Sequence, residues 1–270
     1  MNLPSILPHH EPAARMWGQG GRAYDDVSFA VSDALAHAAE RLHAESHQEI
    51  LDVATGTGWS ARNVARRGAR VTAVDISPEL LAAAAELSAH VRPAISFQLA
   101  DAELLPFPPD RFDGIISTFG VMFATNQKQA AAELARVCRP GGRLSIAAWA
   151  PGGSVAAFFS LIGRHAHAAP PAASPLAWGD QEHVQRLLGR DFDLQFEAGV
   201  SNAYHPSTEE IWDRYASGFG PVKQLAESLD GDRLRAFRED FDAYHRHYQT
   251  PLGLHVRREY LLILGTRRGA

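Results

Sequence analysis

Two glycines and two acids carry the chemistry that the first third of the chain can specify. In Ile50-Leu51-Asp52-Val53-Ala54-Thr55-Gly56-Thr57-Gly58-Trp59-Ser60-Ala61, a short apolar run passes through Gly56 and Gly58 into a helix-forming stretch. Glycine in such a turn lets backbone approach a ligand that any side chain would block. Seventeen residues beyond Gly58, Asp75 closes a second apolar run, where an acceptor-only carboxylate suits the two hydroxyls of a ribose. The pair points to a nucleoside ligand. Gly56-x-Gly58-x-x-Ala61 alone serves a dinucleotide equally well, and a tight strand-to-helix turn without a ligand is the structural alternative. Asp52 separates the ligands by charge: an acid beside the loop opposes a pyrophosphate and favours ammonium and sulfonium groups.

The elements that must position these residues follow from periodicity. Between Glu49 and Trp149 short apolar runs alternate with Ala-rich stretches, the pattern of repeated βα units around a parallel sheet. Strands are predicted at Ile50 to Ala54, Arg70 to Asp75, Ala94 to Ala100, Phe112 to Thr118 and Arg143 to Trp149. Ser77-Pro78-Glu79 reads as a helix start: Ser caps, Pro tolerates the first turn and Glu favours the positive dipole end. A further helix runs from Gln127 to Cys138 and stops at Arg139-Pro140-Gly141-Gly142, which turns the chain. Pro and small residues punctuate Pro151 to Gly179, and a helix-rich stretch follows from Ser207 to about Tyr248. Arg257 to Arg268 has an apolar centre suited to a buried final strand. The expected division is a helical lead-in over 1–48, a binding core over 49–150, a cap with a sixth strand over 151–250, and a final strand over 251–270.

Composition narrows the function classes. A chain of 270 residues that is 46% hydrophobic can bury a large core, and a net charge of −5 provides no basic field for phosphate backbones. Nucleic acid is therefore disfavoured as substrate. The single cysteine, Cys138, offers neither a disulfide framework nor a thiolate metal site, which suits a reducing cytoplasm. No leader or membrane-spanning run is apparent, so no membrane partner is expected.

Leu51 to Gly58 resembles the first motif of class I S-adenosylmethionine-dependent methyltransferases, which usually has Gly and Cys where Ala54 and Thr55 stand here. Val71 to Pro78, with Asp75, resembles the family's acidic ribose-binding strand end. Gln98 to Phe107, followed by Phe112-Asp113, resembles its adenine-binding element. Glu133 to Leu144 is similar to the helix and turn before strand 5 in ubiquinone-biosynthesis-type members. Met16-Trp17-Gly18 and Tyr24-Asp25 resemble a lead-in that folds over the cofactor. The resemblance implies a Rossmann-like fold of seven mostly parallel strands, with helices on both faces and a helical cap inserted before the last strands. It also implies S-adenosyl-L-methionine as cofactor and methyl transfer to a small molecule. The cofactor residues it implies are Trp17, Tyr24, Asp52, Ala54, Thr55, Gly56, Gly58, Asp75, Ile76, Asp101, Ala102 and Thr118. Asp101 would accept from the adenine amine, Ala102 would read the ring through its backbone, and Ile76 would pack on the adenine face.

The methyl of a sulfonium is already activated, so alignment and electrostatics suffice, with no metal or covalent intermediate. The acceptor atom decides whether a base is needed, and no catalytic residue is assigned. Substrate walls are sought among aromatic residues. Phe119, Phe123 and Trp149 lead, ahead of Trp178, Tyr204 and Tyr215. His165-x-His167 and His245-x-His247 read as solvated helix surface, because residues two apart on a helix diverge. His9-His10 reads as a mobile terminus, and Arg257-Arg258 as a charge pair keeping a strand end in water. The rivals are a nicotinamide-dependent oxidoreductase and a non-catalytic S-adenosylmethionine-binding protein.

Overall fold

The structure is a computed structural model that describes residues 6–166 and 173–269. Its frame is a sheet built from β1 (Glu49–Val53), β2 (Arg70–Asp75), β3 (Ser96–Leu99), β4 (Phe112–Thr118), β5 (Cys138–Trp149), β6 (Phe192–His205) and β8 (Gly253–Arg267), with a two-residue β7 (Gln249–Thr250) beside β8. The strand order is β3-β2-β1-β4-β5-β8-β6. The first five pair in parallel, and β8 lies antiparallel between β5 and β6. This is the Rossmann-like, mostly parallel sheet expected.

Buried parallel strands read as unbroken apolar runs because helices cover both faces. Accordingly Ile50, Leu51, Val53, Ile115, Ile116 and Ile146 are almost wholly buried. The covering helices are α3 (Ser32–Leu42), α4 (Trp59–Ala65), α5 (Pro78–Leu87) and α6 (Gln127–Val137), preceded by α1 (Glu11–Gly18) and α2 (Tyr24–Phe29). At the start of α5 the Ser77 hydroxyl accepts from the Leu80 amide at 3.2 Å, with Pro78 opening the helix as expected. Asn126 caps α6 in the same way.

β3 is shorter than expected, Ser96–Leu99 in place of Ala94 to Ala100, and two further boundaries differ, each for a local reason. Arg139 to Gly142 ends α6 but belongs to β5: Cys138 pairs with Phe112 and Arg143 with Gly114, so the intervening residues bulge, with Gly141 at φ +76°. Glycine reaches that left-handed backbone without Cβ strain. The last strand begins at Gly253 rather than near Arg257, because its first half pairs along β6 from His205 to Asn202. Arg257 and Arg258 therefore sit inside the strand, and Arg258 is buried.

α8 (Gln181–Leu188) packs on the sheet core through Val184 and Leu188, and the cap comprises α7 (Gly153–Ala166), α9 (Thr208–Gly218), α10 (Gly220–Ser228) and α11 (Gly231–Arg246). It has its own apolar cluster, centred on Phe158, Ile211, Tyr215, Phe219, Phe237 and Phe241, and Trp17, Tyr24 and Val27 of the lead-in pack against it. His10 is buried rather than mobile. The lead-in thus joins cap to core over the ends of the central strands. Among the described residues, no helix is long and apolar enough to cross a membrane.

Candidate functional site

β1 and β4 are neighbours whose continuing chains leave in opposite directions across the sheet, one toward β2 and the other toward β5. Open α/β sheets leave a crevice outside the strand ends at such a switch point. A cavity opens there and runs beneath the cap, lined by His10 and Asp101, by the loops after the central strands, and by Tyr215, His245 and Arg258.

Of the residues singled out for the cofactor, Trp17, Tyr24, Ala54, Thr55, Gly56, Asp75, Ile76, Asp101, Ala102 and Thr118 line this cavity. Asp52 and Gly58 lie behind it. Gly58 starts α4 with φ +86°. Asp52 is fully buried beneath the loop, where its Oδ2 accepts from the Thr55 hydroxyl at 2.7 Å and its Oδ1 has no partner. Burial pushes this carboxyl up to about 7. A buried acceptor without a donor is costly, and a nearby cationic ligand would relieve that cost.

Asp75 is also buried, and burial raises its pKa. Its Oδ2 accepts from the Gly56 amide at 2.8 Å and its Oδ1 from the Ser77 amide at 3.0 Å. A carboxylate offers about four lone-pair sites, so two remain for ligand hydroxyls. Asp101 is more heavily committed. Its Oδ2 accepts from His10 Nδ1 at 2.7 Å and from the Leu7 amide at 3.1 Å, while Oδ1 accepts from the Glu103 amide at 2.9 Å. One site is left on the same count.

The loop geometry explains its residue types. Gly56 has φ +56°, and a Cβ there would stand 3.3 Å from the Tyr24 ring. Ala54, where related motifs carry glycine, also adopts φ +56°, a backbone that costs a non-glycine residue roughly 1–2 kcal/mol. The loop after β4 is tighter still: a Cβ on Gly120 would come within 2.4 Å of the Ala54 Cβ and 2.9 Å of its carbonyl oxygen. Gly120→Ala is therefore expected to lower stability by about 1–3 kcal/mol through overpacking, read as a lower melting temperature. An unchanged melting temperature would show that the two loops are not in this contact.

Phe119, Phe123 and Trp149 all line the cavity. Phe119 stacks on Trp149 with centroids 3.7 Å apart and planes at 9°, held by a left-handed backbone at φ +57°. Trp17 packs on Phe123 at 5.0 Å and Phe219 at 5.6 Å, so lead-in, core and cap share one aromatic wall. Tyr215 also lines the cavity. Trp178 does not; it is fully buried in the core cluster. Tyr204 is 70% exposed on β6, stacked on His255.

Several residues that the sequence leaves unassigned, or assigns to solvent, have partners in or near the site. Ser60 lies 2.7 Å from the Thr118 hydroxyl. Arg62 donates to the Thr57 carbonyl at 2.6 Å and pairs with Asp25, tying the lead-in to the loop. His245 is buried, not solvated, and its Nδ1 donates to the Phe241 carbonyl at 2.8 Å. The tautomer that bond requires leaves Nε2 unprotonated in the neutral ring. Burial pushes its pKa down to about 4. His247 is exposed, so the two do not form a joint site, and His167 lies outside the described residues. His165 pairs with Asp240 at the cap surface. Near the Asp101 end, His9, His10 and Glu103 bring donor atoms within 4.8 Å of one another, although His10 Nδ1 is already bound to Asp101.

Comparison with known proteins places this geometry. Residues 51–146 match a family model described as a methyltransferase domain. An uncharacterized protein of Mycobacterium tuberculosis is 41% identical over 185 residues, covering 67% of each chain. A demethylmenaquinone methyltransferase of Tropheryma whipplei is 35% identical over 163 residues, covering 58% of this chain and 67% of that protein. Among solved structures, a phosphoethanolamine N-methyltransferase of Haemonchus contortus, crystallised with phosphomonomethylethanolamine and S-adenosylhomocysteine, superposes with a TM-score of 0.57. The alignment is 16% identical and covers 88% of this chain and 53% of that one.

Proposed function

The chain belongs to the class I S-adenosylmethionine-dependent methyltransferases, and from that premise we propose that it methylates a small molecule held under the cap by the Phe119–Trp149 stack and Phe123. The observation that carries this reading is the continuity of one cavity from the Asp75 crevice to the aromatic wall. Two substrates in line need such a passage.

The residues present fit the donor. Asp75 keeps two acceptor sites for ribose hydroxyls, and Gly56 leaves space that only backbone can border. Ile76 and Ala102 flank the position for the adenine, with the remaining Asp101 site for its amine. The unpartnered Asp52 oxygen supplies negative potential behind the loop. Tyr24 and Trp17 close over the crevice, and Thr118 with Ser60 borders the methionine side. When bound, S-adenosylmethionine supplies a methyl carried on a sulfonium. The chain's own part is to align the acceptor, exclude water with the lead-in and aromatic wall, and hold the positive charge near Asp52.

The division into lead-in, core, cap and final strand belongs to this proposal. So does a reducing cytoplasmic setting without nucleic-acid or membrane partners, supported by net charge and by Cys138, whose buried thiol is pushed up to about 12 and is inert. A calorimetric titration tests the donor assignment against its nicotinamide rival. S-adenosylhomocysteine is expected to bind and NAD(P) to give no heat; the reverse result sinks the proposal.

A further inference from the structure

The cap end of the cavity carries a charge that donor binding does not use. β8 alternates its side chains, and Leu254, Val256, Arg258 and Tyr260 share the buried face while Arg257 and Glu259 point to solvent. Arg258 is 7% exposed and lines the cavity. Its Nη2 donates to the Tyr215 hydroxyl at 3.0 Å, and among the described residues no carboxylate lies within 4.0 Å of it. A guanidinium stays charged in any protein setting, so this is a buried cation without a counter-charge, an arrangement folding alone disfavours.

The surrounding groups neither neutralise it nor add to it. His245 lines the same end of the cavity, and His205 is buried with both ring nitrogens unpartnered. Burial holds the two at about 4 and about 3, with Arg258 pushing both further down, so at neutral pH they are uncharged. Arg214 of α9 also acts on His205, but its own guanidinium pairs with Glu210 at 2.8 Å. Tyr244 donates to the Ser154 carbonyl at 2.8 Å, and burial keeps its hydroxyl protonated. The pocket end therefore presents one net positive charge, in a planar fork suited to a carboxylate, beside the rings of Phe158 and Tyr215.

We infer that the methyl acceptor is a monoanion of the carboxylate class with an aromatic or flat apolar body, its carboxylate seated on Arg258. This rests on the methyl-transfer reading of the cavity and deepens it. The rings of Tyr215, Phe219, Trp17 and Tyr24, each against the next, stand between Arg258 and the Gly56 loop of the crevice, so the anion it calls for is the acceptor's and not the donor's.

The test uses the full chain saturated with S-adenosylhomocysteine and titrated with paired probes, 3-phenylpropionate against 3-phenylpropionamide and 2-naphthoate against 2-naphthamide. The wild type is expected to bind the acids at least about tenfold more tightly than the amides, as loss of one charge-assisted pair implies. In Arg258→Gln that preference is expected to vanish, while S-adenosylhomocysteine affinity stays within about twofold of wild type. Equal binding of acids and amides by the wild type, or no binding of either, overturns the inference. It holds as a test even where Arg258→Gln does not fold. A folded Arg258→Gln that has lost S-adenosylhomocysteine binding also overturns it, because the guanidinium then serves the donor's own carboxylate. A wild type that prefers the acids yet fails to bind S-adenosylhomocysteine supports the anion site and counts only against the donor reading.

Discussion

Asp75→Ala is expected to weaken S-adenosylhomocysteine binding by about 100-fold or more while the chain still folds. The two acceptor sites left on this carboxylate would take the ribose hydroxyls, and hydrogen bonds to a charged group are worth about 1.5–3 kcal/mol each. The substitution also frees the Gly56 and Ser77 amides that Asp75 now holds, which loosens the loop. Asp75→Asn separates the effects. It can keep one amide bond and one hydroxyl bond, so an intermediate loss is expected. Calorimetry on the three proteins gives the affinities, and thermal melting shows how much of the loss is structural. Affinity unchanged by Asp75→Ala would remove the ribose from this strand end.

The second large effect is a pH dependence centred on Asp52. Its folded value near 7 lies above the ordinary carboxylate value of 3.8. Between those limits the unfolded chain has released the proton that the folded chain keeps, so the contribution of Asp52 to the stability of the ligand-free protein falls as pH rises toward about 7 and levels off above it. At about 1.4 kcal/mol per pH unit, the loss reaches a few kcal/mol. Asp52→Asn removes this contribution while the opposing one of buried His205 and His245 stays in both proteins, so the variant should be more stable than wild type at about pH 8 and near parity at about pH 4. A sulfonium donor reverses the balance by favouring the ionised carboxylate. Binding near neutrality should then release a proton, visible as heats that vary with buffer ionisation enthalpy. S-Adenosylmethionine should gain affinity with pH more steeply than S-adenosylhomocysteine, which lacks the sulfonium charge. Asp52→Asn should abolish both behaviours. Buffer-independent heats in the wild type would deny Asp52 this role.

Much of the core was legible because its signals are local. Apolar runs separated by Ala-rich stretches predict β1, β2 and β4 nearly to the residue, and Ser77-Pro78-Glu79 announces the cap of α5 through bonding within a few residues. The crevice followed from Gly56 and Asp75, whose roles depend on strand ends rather than on distant partners. The cap end was hidden by tertiary effects. Arg258 falls within Arg257-Arg258-Glu259, a polar run that reads as a strand terminus. Only the pairing of Leu254 with His205 and of Val256 with Ala203 extends β8 far enough to set Arg258 on the inward face. His245 had a usable signal, since Phe237, Phe241 and His245 recur at four-residue spacing on one helical face. The His-x-His spacing drew attention to the wrong partner. His10 had none, because its bond to Asp101 spans 91 residues. Trp178 and Tyr204 show the converse: aromatic type alone does not separate a pocket wall from core or open surface.

The most direct test of the central claim is transfer itself. The full chain, incubated with S-adenosylmethionine labelled on its methyl group, is offered separate small-molecule, protein and nucleic-acid fractions of an extract from its source organism. Methyl transfer to a small molecule is predicted to place the label on a metabolite in the first fraction, with Asp75→Ala abolishing the signal. Label appearing on protein or nucleic acid, or on nothing while S-adenosylhomocysteine still binds, would contradict it.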